Sequence, residues 1–152
     1  MTKRESILVS ACLLGEACRY DGKSQPCEAL RALAGSYDLV PVCPEQLGGL
    51  PTPRTPSEIQ PDGCVVDHTG ADRSEAFAAG ARETLRIARM HSCTRAVLKA
   101  KSPSCGVHEI YDGTFTGTII PGKGVTAALL HEAGIALLDE SELARKDVDF
   151  MR

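Results

Sequence analysis

Four short apolar runs punctuate the chain: "SILVSAC" (Ser6 to Cys12), "YDLVPVC" (Tyr37 to Cys43), "TRAVLKA" (Thr94 to Ala100) and "IALLDE" (Ile135 to Glu140). Continuous apolar runs of this length, without alternation, predict strands buried on both faces. Helical patterns lie between them. "PCEALRALAG" (Pro26 to Gly35) has proline at its start and glycine at its end, the usual punctuation of a short helix. In "SEAFAAGARETLRIARMHSC" (Ser74 to Cys93), Phe77, Ala81, Leu85, Ile87 and Ala88 form an apolar stripe, which predicts the chain's strongest amphipathic helix. "KGVTAALLHEAG" reads as a helix closed by Gly134.

Between these elements the pattern changes. "CVVDHTGADR" (Cys64 to Arg73) reads as a hairpin turning at Thr69 and Gly70, and "YDGTFTGTII" (Tyr111 to Ile120) as a second turn-rich β pair. "PEQLGGLPTPRTPSEIQPDG" (Pro44 to Gly63) has the composition of an irregular loop. It is longer than a compact domain tolerates without a functional reason. Strands alternating with helices predict one α/β domain over residues 1–152. Its sheet is mainly parallel and Rossmann-like, with helices on both faces and a small β-hairpin addition.

The bulk properties fit that reading. Of 152 residues, 43% are hydrophobic and 24% charged, ordinary for a globular domain. A net charge of −3 supplies no general attraction for nucleic acid or an anionic membrane. No apolar run approaches the roughly 18 residues of a membrane span. Val9-Ser10-Ala11-Cys12 resembles a lipoprotein cleavage box, but only Ile7 to Val9 precede it as an apolar core. A signal peptide needs about 7–15 such residues, so this stretch is read as a strand and the protein as cytoplasmic.

Seven cysteines, an odd number, argue against a disulfide framework and toward metal binding, catalysis or simple burial. Cys12 and Cys43 end the first two strands, and Cys105 lies in the loop after the third. Ligands of open parallel sheets bind outside the carboxyl ends of the strands. Cys12, Cys43 and Cys105 could therefore converge there, although they are 31 and 62 residues apart. Two readings stand: three buried small hydrophobes, or three thiolate ligands. The polar, Gly- and Pro-rich contexts "CLLG", "CPEQLGG" and "SPSCG" favour ligands. Three thiolates without a fourth suit an iron–sulfur cluster with one open iron, whereas structural zinc asks for four ligands.

Other motifs carry their own alternatives. His91-x-Cys93 and Cys105-x2-His108 have zinc-like local spacings, but His91 also suits a helix C-terminus. "GTIIPGKG" nearly matches a phosphate-binding loop, yet Gly124 stands where a hydroxyl should reach Mg²⁺. Glu45, two residues after Cys43, is either a solvated loop acid or a general base beside the cluster. Ser102 and Ser104 flank Pro103, as turn residues or as a hydroxyl that donates to a developing oxyanion or relays a proton. Arg19, Tyr20 and Asp21 could close the pocket or form an ordinary turn. Cys18, Cys27, Cys64 and Cys93 are assigned to packing or chance.

Taken together, "SACLLGEACRYDG", "PVCPEQLGGLPTPR", "KAKSPSCG" and "YDGTFTGT…GKGVTAALL" resemble the thiouracil desulfidase family, from about Ile7 to the Leu138 region. The resemblance implies a 4Fe–4S cluster held by Cys12, Cys43 and Cys105. It implies Glu45 as catalytic carboxylate and Ser102 as assisting hydroxyl, with Ser104 second. The implied reaction is non-redox removal of sulfur from thiolated uracils, with a small thiolated pyrimidine as partner and no stable nucleic-acid binding. Two rival functions remain at this level. One is a non-catalytic iron–sulfur or thiol sensor, which would need the cysteines but no general base. The other is a zinc-dependent hydrolase.

Overall fold

A computed structural model describes residues 4–143. Four parallel strands form the central sheet in the order β2-β1-β5-β8: β1 (Ser6–Ser10), β2 (Asp38–Val42), β5 (Arg95–Leu98) and β8 (Ala136–Asp139). Leu8 lies opposite Val40 on one side and Ala96 on the other, and Val97 faces Leu138. Side chains alternate across the sheet. Leu8, Ala96 and Leu98 enter one core with α3 (Ser74–Met90) and α4 (Val125–Glu132). Ile7, Val9 and Val97 enter a second core with Leu30 of α1 (Glu28–Ala32), and Leu143 of α5 (Glu140–Leu143) packs against it. Helices therefore cover both faces, which is why these strands read as apolar runs rather than alternations.

On α3, Phe77, Ala81, Leu85 and Ala88 are buried as the stripe requires, and Ile87 is half-buried at its edge. Among the described residues, no helix is long and apolar enough to cross a membrane.

The segment from Pro44 to Gly63 departs from its composition. It contains α2 (Pro44–Leu47) and β3 (Ser57–Ile59). Pro44 occupies the first turn of α2 after an extended Cys43, where proline's fixed φ suits a helix start. β3 pairs antiparallel with β4 (Val65–Asp67), so the expected hairpin takes its main partner from the supposed loop. The turn itself forms, with the Gly70 N–H donating to the Asp67 carbonyl, but the returning chain adds only a bridge from Asp72 to Val66. β6 (Glu109–Tyr111) and β7 (Ile119–Pro121) make the second antiparallel pair.

From β1 the chain steps to β2 on one side, then crosses to β5 on the other. That reversal opens a crevice at the carboxyl ends of β1 and β5, the place where open parallel sheets bind ligands.

Candidate active site

The segments after β1, β2 and β5 deliver Cys12, Cys43 and Cys105 to this crevice by different local means. After β1 the chain turns through a 3-10 helix, Ala11–Leu14, so Cys12 sits two residues beyond the strand rather than at its end. Cys43 follows β2 directly and precedes α2. Cys105 lies in the loop after β5. There the Ser102 hydroxyl oxygen accepts the N–H groups of Ser104 (3.1 Å) and Cys105 (3.0 Å).

The first turn of α4 clasps the Cys105 loop. The N–H of Val125 donates to Pro103, and those of Thr126 and Ala127 donate to Ser104. The Ser104 and Thr126 hydroxyls meet at 2.7 Å, both fully buried. Gly124 lies so close that a Cβ there would stand 2.4 Å from the Ser104 carbonyl carbon. "GKGVTAALL" thus serves to hold Cys105, and the resemblance to a phosphate loop has this packing cause.

Cys12, Cys43, Cys105, Glu45 and Ser102 all line one cavity of about 560 Å³. Ser104 is spent on α4. The zinc-like pairs do not assemble: Cys93 lies in the core beside Ala88, His91 caps the end of α3, and His108 pairs with Glu142.

Cys18 was the residue that packing arguments misplaced. It is buried, but in the wall of this cavity, which it shares with Cys12 and Cys43. Its carbonyl accepts the Cys43 thiol at 3.7 Å. The contact with Cys12 pushes the Cys18 thiol up to about 11. Contact with Cys18, then burial, pushes Cys43 well above the ordinary thiol range. Burial pushes Cys105 up to about 12, against hydrogen bonds from Ser10 and Ser104, with the Glu45 charge adding to the rise. As free thiols these groups keep their protons at neutral pH, and a metal that binds them must displace those protons.

The thiols are converging but not collapsed onto one point. Among the described residues, the one group of three or more Cys, His, Asp or Glu ligand atoms lying within 4.8 Å of each other is His108, Asp139 and Glu142. A single tetrahedral zinc with Zn–S near 2.3 Å would draw three thiolates to about 3.8 Å from one another. No three of these cysteines are so arranged.

Glu45 stands in the first turn of α2. Its Oε2 accepts the Arg54 Nε–H at 2.7 Å, with the two side chains 15% and 7% exposed. The helix reaches this position because α2 and α3 touch backbone to backbone. A Cβ on Gly48 would meet the Ala76 carbonyl oxygen at 1.9 Å, and one on Gly80 would meet that of Pro44 at 1.9 Å.

The cavity mouth is aromatic. His68 and Phe115 pair at 5.1 Å between ring centroids, and Tyr20 and Tyr111 also line it. Phe115 has φ 58°, an outlier for a bulky residue. Glu58 holds it there by accepting the N–H groups of Gly113 (2.9 Å) and Phe115 (3.1 Å). Of the three residues expected to close the pocket, Arg19 and Tyr20 line it, whereas Asp21 accepts the Lys23 N–H in a turn; Cys18, Arg54, Glu58, His68 and Phe115 line it without having been expected there. The "PTPR" segment was the available signal for Arg54. The others depend on contacts between distant loops.

Residues 7–142 match the family described as 2-thiouracil desulfurase. The chain is 43% identical over 146 residues to an uncharacterised Bacillus subtilis (strain 168) protein, YbbK, covering 90% of this chain and 97% of that one. It is also similar to a solved structure described as the 4Fe–4S-dependent thiouracil desulfidase TudS. That similarity has a TM-score of 0.87 and 43% identity, over 92% of this chain and 93% of that one.

Proposed function

The chain belongs to the 2-thiouracil desulfurase family, and from that premise we propose that it is a cytoplasmic, 4Fe–4S-dependent desulfidase converting a thiolated uracil and water to uracil and hydrogen sulfide. The observation that carries the reading is the cavity itself: three thiols from three strand ends, a carboxylate and a hydroxyl all open onto it. Cys12, Cys43 and Cys105 would hold the cluster. Their chemistry fits, because soft thiolates suit iron–sulfur clusters and their spacing exceeds that of a single-ion cage. When bound through these three thiolates, the cluster would supply a Lewis acid for the thione sulfur.

The remaining work falls to protein groups. Glu45 Oε2 is engaged by Arg54, while Oε1 has no hydrogen bond to the described residues. Oε1 takes a proton from water as that water attacks the carbon bearing sulfur. The carbon–sulfur bond breaks, a carbon–oxygen bond replaces it, and no electrons are transferred overall. Ser102 accepts two backbone N–H groups through its oxygen, which polarises its own O–H toward donation. That hydroxyl donates to charge developing on the substrate. The aromatic mouth suits a flat heterocycle, and the substrate is a small thiolated pyrimidine rather than a nucleic acid.

The test is Glu45→Gln. Amide for carboxylate keeps size and most hydrogen bonding but cannot take the water proton. Anaerobically loaded variant should keep its iron and lose about 10²–10⁴ in uracil and sulfide release from 2-thiouracil. A fully loaded variant with near-normal turnover removes Glu45 as base. Wild-type holoprotein that releases sulfide from no thiolated pyrimidine points instead to a sensor.

A further inference from the structure

We propose that Arg54 is the positioning residue for the Glu45 carboxylate; this rests on the reading of Glu45 as the base. Arg54 bonds Glu45 through Nε alone, although a guanidinium readily grips a carboxylate with two parallel bonds. The one-point contact engages Oε2 and leaves Oε1 for water.

The other donors explain why the guanidinium does not rotate into the two-point grip. Nη1 donates to the Thr52 hydroxyl at 2.9 Å and the Pro51 carbonyl at 3.2 Å. Nη2 donates to the Cys18 carbonyl at 3.0 Å. Arg54's own N–H donates to the Tyr20 carbonyl at 2.7 Å. Three acceptors other than Glu45 therefore set the plane of the guanidinium before the carboxylate arrives. Glu45 is oriented by a fixed fork, and the fork is fixed by the two loops that flank the thiols. A lysine would bring the charge but only a point of attachment.

Placement of this kind acts on the reacting geometry more than on substrate affinity. A misplacement of about 1 Å can cost about 10²-fold in rate. Arg54→Ala should therefore lower kcat about 10²-fold and leave KM within about threefold. Arg54→Lys should recover only part of the loss. Guanidinium ion at millimolar concentration should partly restore Arg54→Ala, and should do nothing when Glu45 is glutamine.

The deciding measurement is a double-mutant cycle on iron-loaded protein with 2-thiouracil: wild type, Glu45→Gln, Arg54→Ala and the double variant. If Arg54 acts through Glu45, the double variant is no slower than Glu45→Gln alone. A double variant slowed by the full Arg54→Ala factor overturns the proposal and leaves Glu45 as base. Normal turnover in Glu45→Gln overturns the base itself, and the positioning role with it. Full activity in Arg54→Lys also overturns the proposal, since charge alone would then suffice. Should Arg54→Ala fail to hold iron, the same cycle is run with Arg54→Lys, with the same criteria.

Discussion

Gly80→Ala places one methyl group into the contact that sets Glu45. By helix propensity alone the change should help, because alanine in a helix interior is better than glycine by about 1 kcal/mol. The contact reverses that sign. The added Cβ would stand 1.9 Å from the Pro44 carbonyl oxygen, whereas ordinary contact begins at 3.4 Å. That oxygen belongs to backbone in a helix turn and cannot swing aside, so α2 must move by about 1.5 Å or α3 must bend. Overpacking of this kind costs typically about 1–3 kcal/mol. Set against the propensity gain of about 1 kcal/mol, the expected net loss is up to about 2 kcal/mol, or a Tm lower by up to about 8 °C at this chain length. Glu45 is the next residue after Pro44, so the displacement reaches the carboxylate, and turnover should fall about 10²-fold. Thermal melting, iron per chain and anaerobic sulfide release are measured on one preparation. Gly35→Ala serves as control, since a Cβ there meets nothing within 4 Å. A Gly80→Ala protein with unchanged or raised Tm and normal turnover would refute the argument that this glycine pair positions the Glu45 carboxylate.

Anaerobic reconstitution should load about four irons per chain, and Cys12→Ser, Cys43→Ser and Cys105→Ser should each lose most of that iron. Cys18→Ser should retain it, and iron loss there equal to that of the other three would place Cys18 among the ligands. Asp67 is held at about 2, below its ordinary 3.8, by the Thr69 hydroxyl first and by the Ala71 N–H and Arg73 in addition. A depressed carboxyl stabilises above its ordinary value and loses that contribution as pH falls from about 4 toward 2. Asp67→Asn should therefore show lower stability at neutral pH and a flatter Tm profile over that acid range, and a parallel profile would remove Asp67 from the acid transition.

The strands were legible because each is buried on both faces. Ile7, Leu8 and Val9 point alternately into two cores, and nothing polar interrupts the run. Helix α3 was legible for the opposite reason, since a single buried face leaves a stripe. That the sheet is parallel then follows from strands alternating with helices, and with it the carboxyl edge at which Cys12, Cys43 and Cys105 gather. What escaped reading is what tertiary contact alone stabilises. α2 is one turn and β3 three residues, too short for periodicity to register. Their sequence is dominated by the prolines and glycines that composition assigns to loops. Yet Gly48 is there for α3, and β3 exists because β4 pairs with it.

Cys18 shows the same limit at the site. Six residues past Cys12, in "GEACRYDG", it has no local signal that separates a packed cysteine from a pocket thiol. Its position is decided by groups far along the chain: the Cys43 thiol on its carbonyl, the Arg54 guanidinium on the same oxygen, and Tyr20 accepting the Arg54 N–H. The loops after β1 and β2 are thus tied to each other and to Glu45 through one buried guanidinium. A polar network inside a cavity wall is costly unless every member is paired. Among the described residues, no buried side-chain nitrogen or oxygen lacks a partner, so the wall is set without the substrate's help. The proposed hydrolysis needs this, because the Glu45 carboxylate would have to face the water already when the thione arrives, leaving the energy of substrate binding free to act on the reacting carbon.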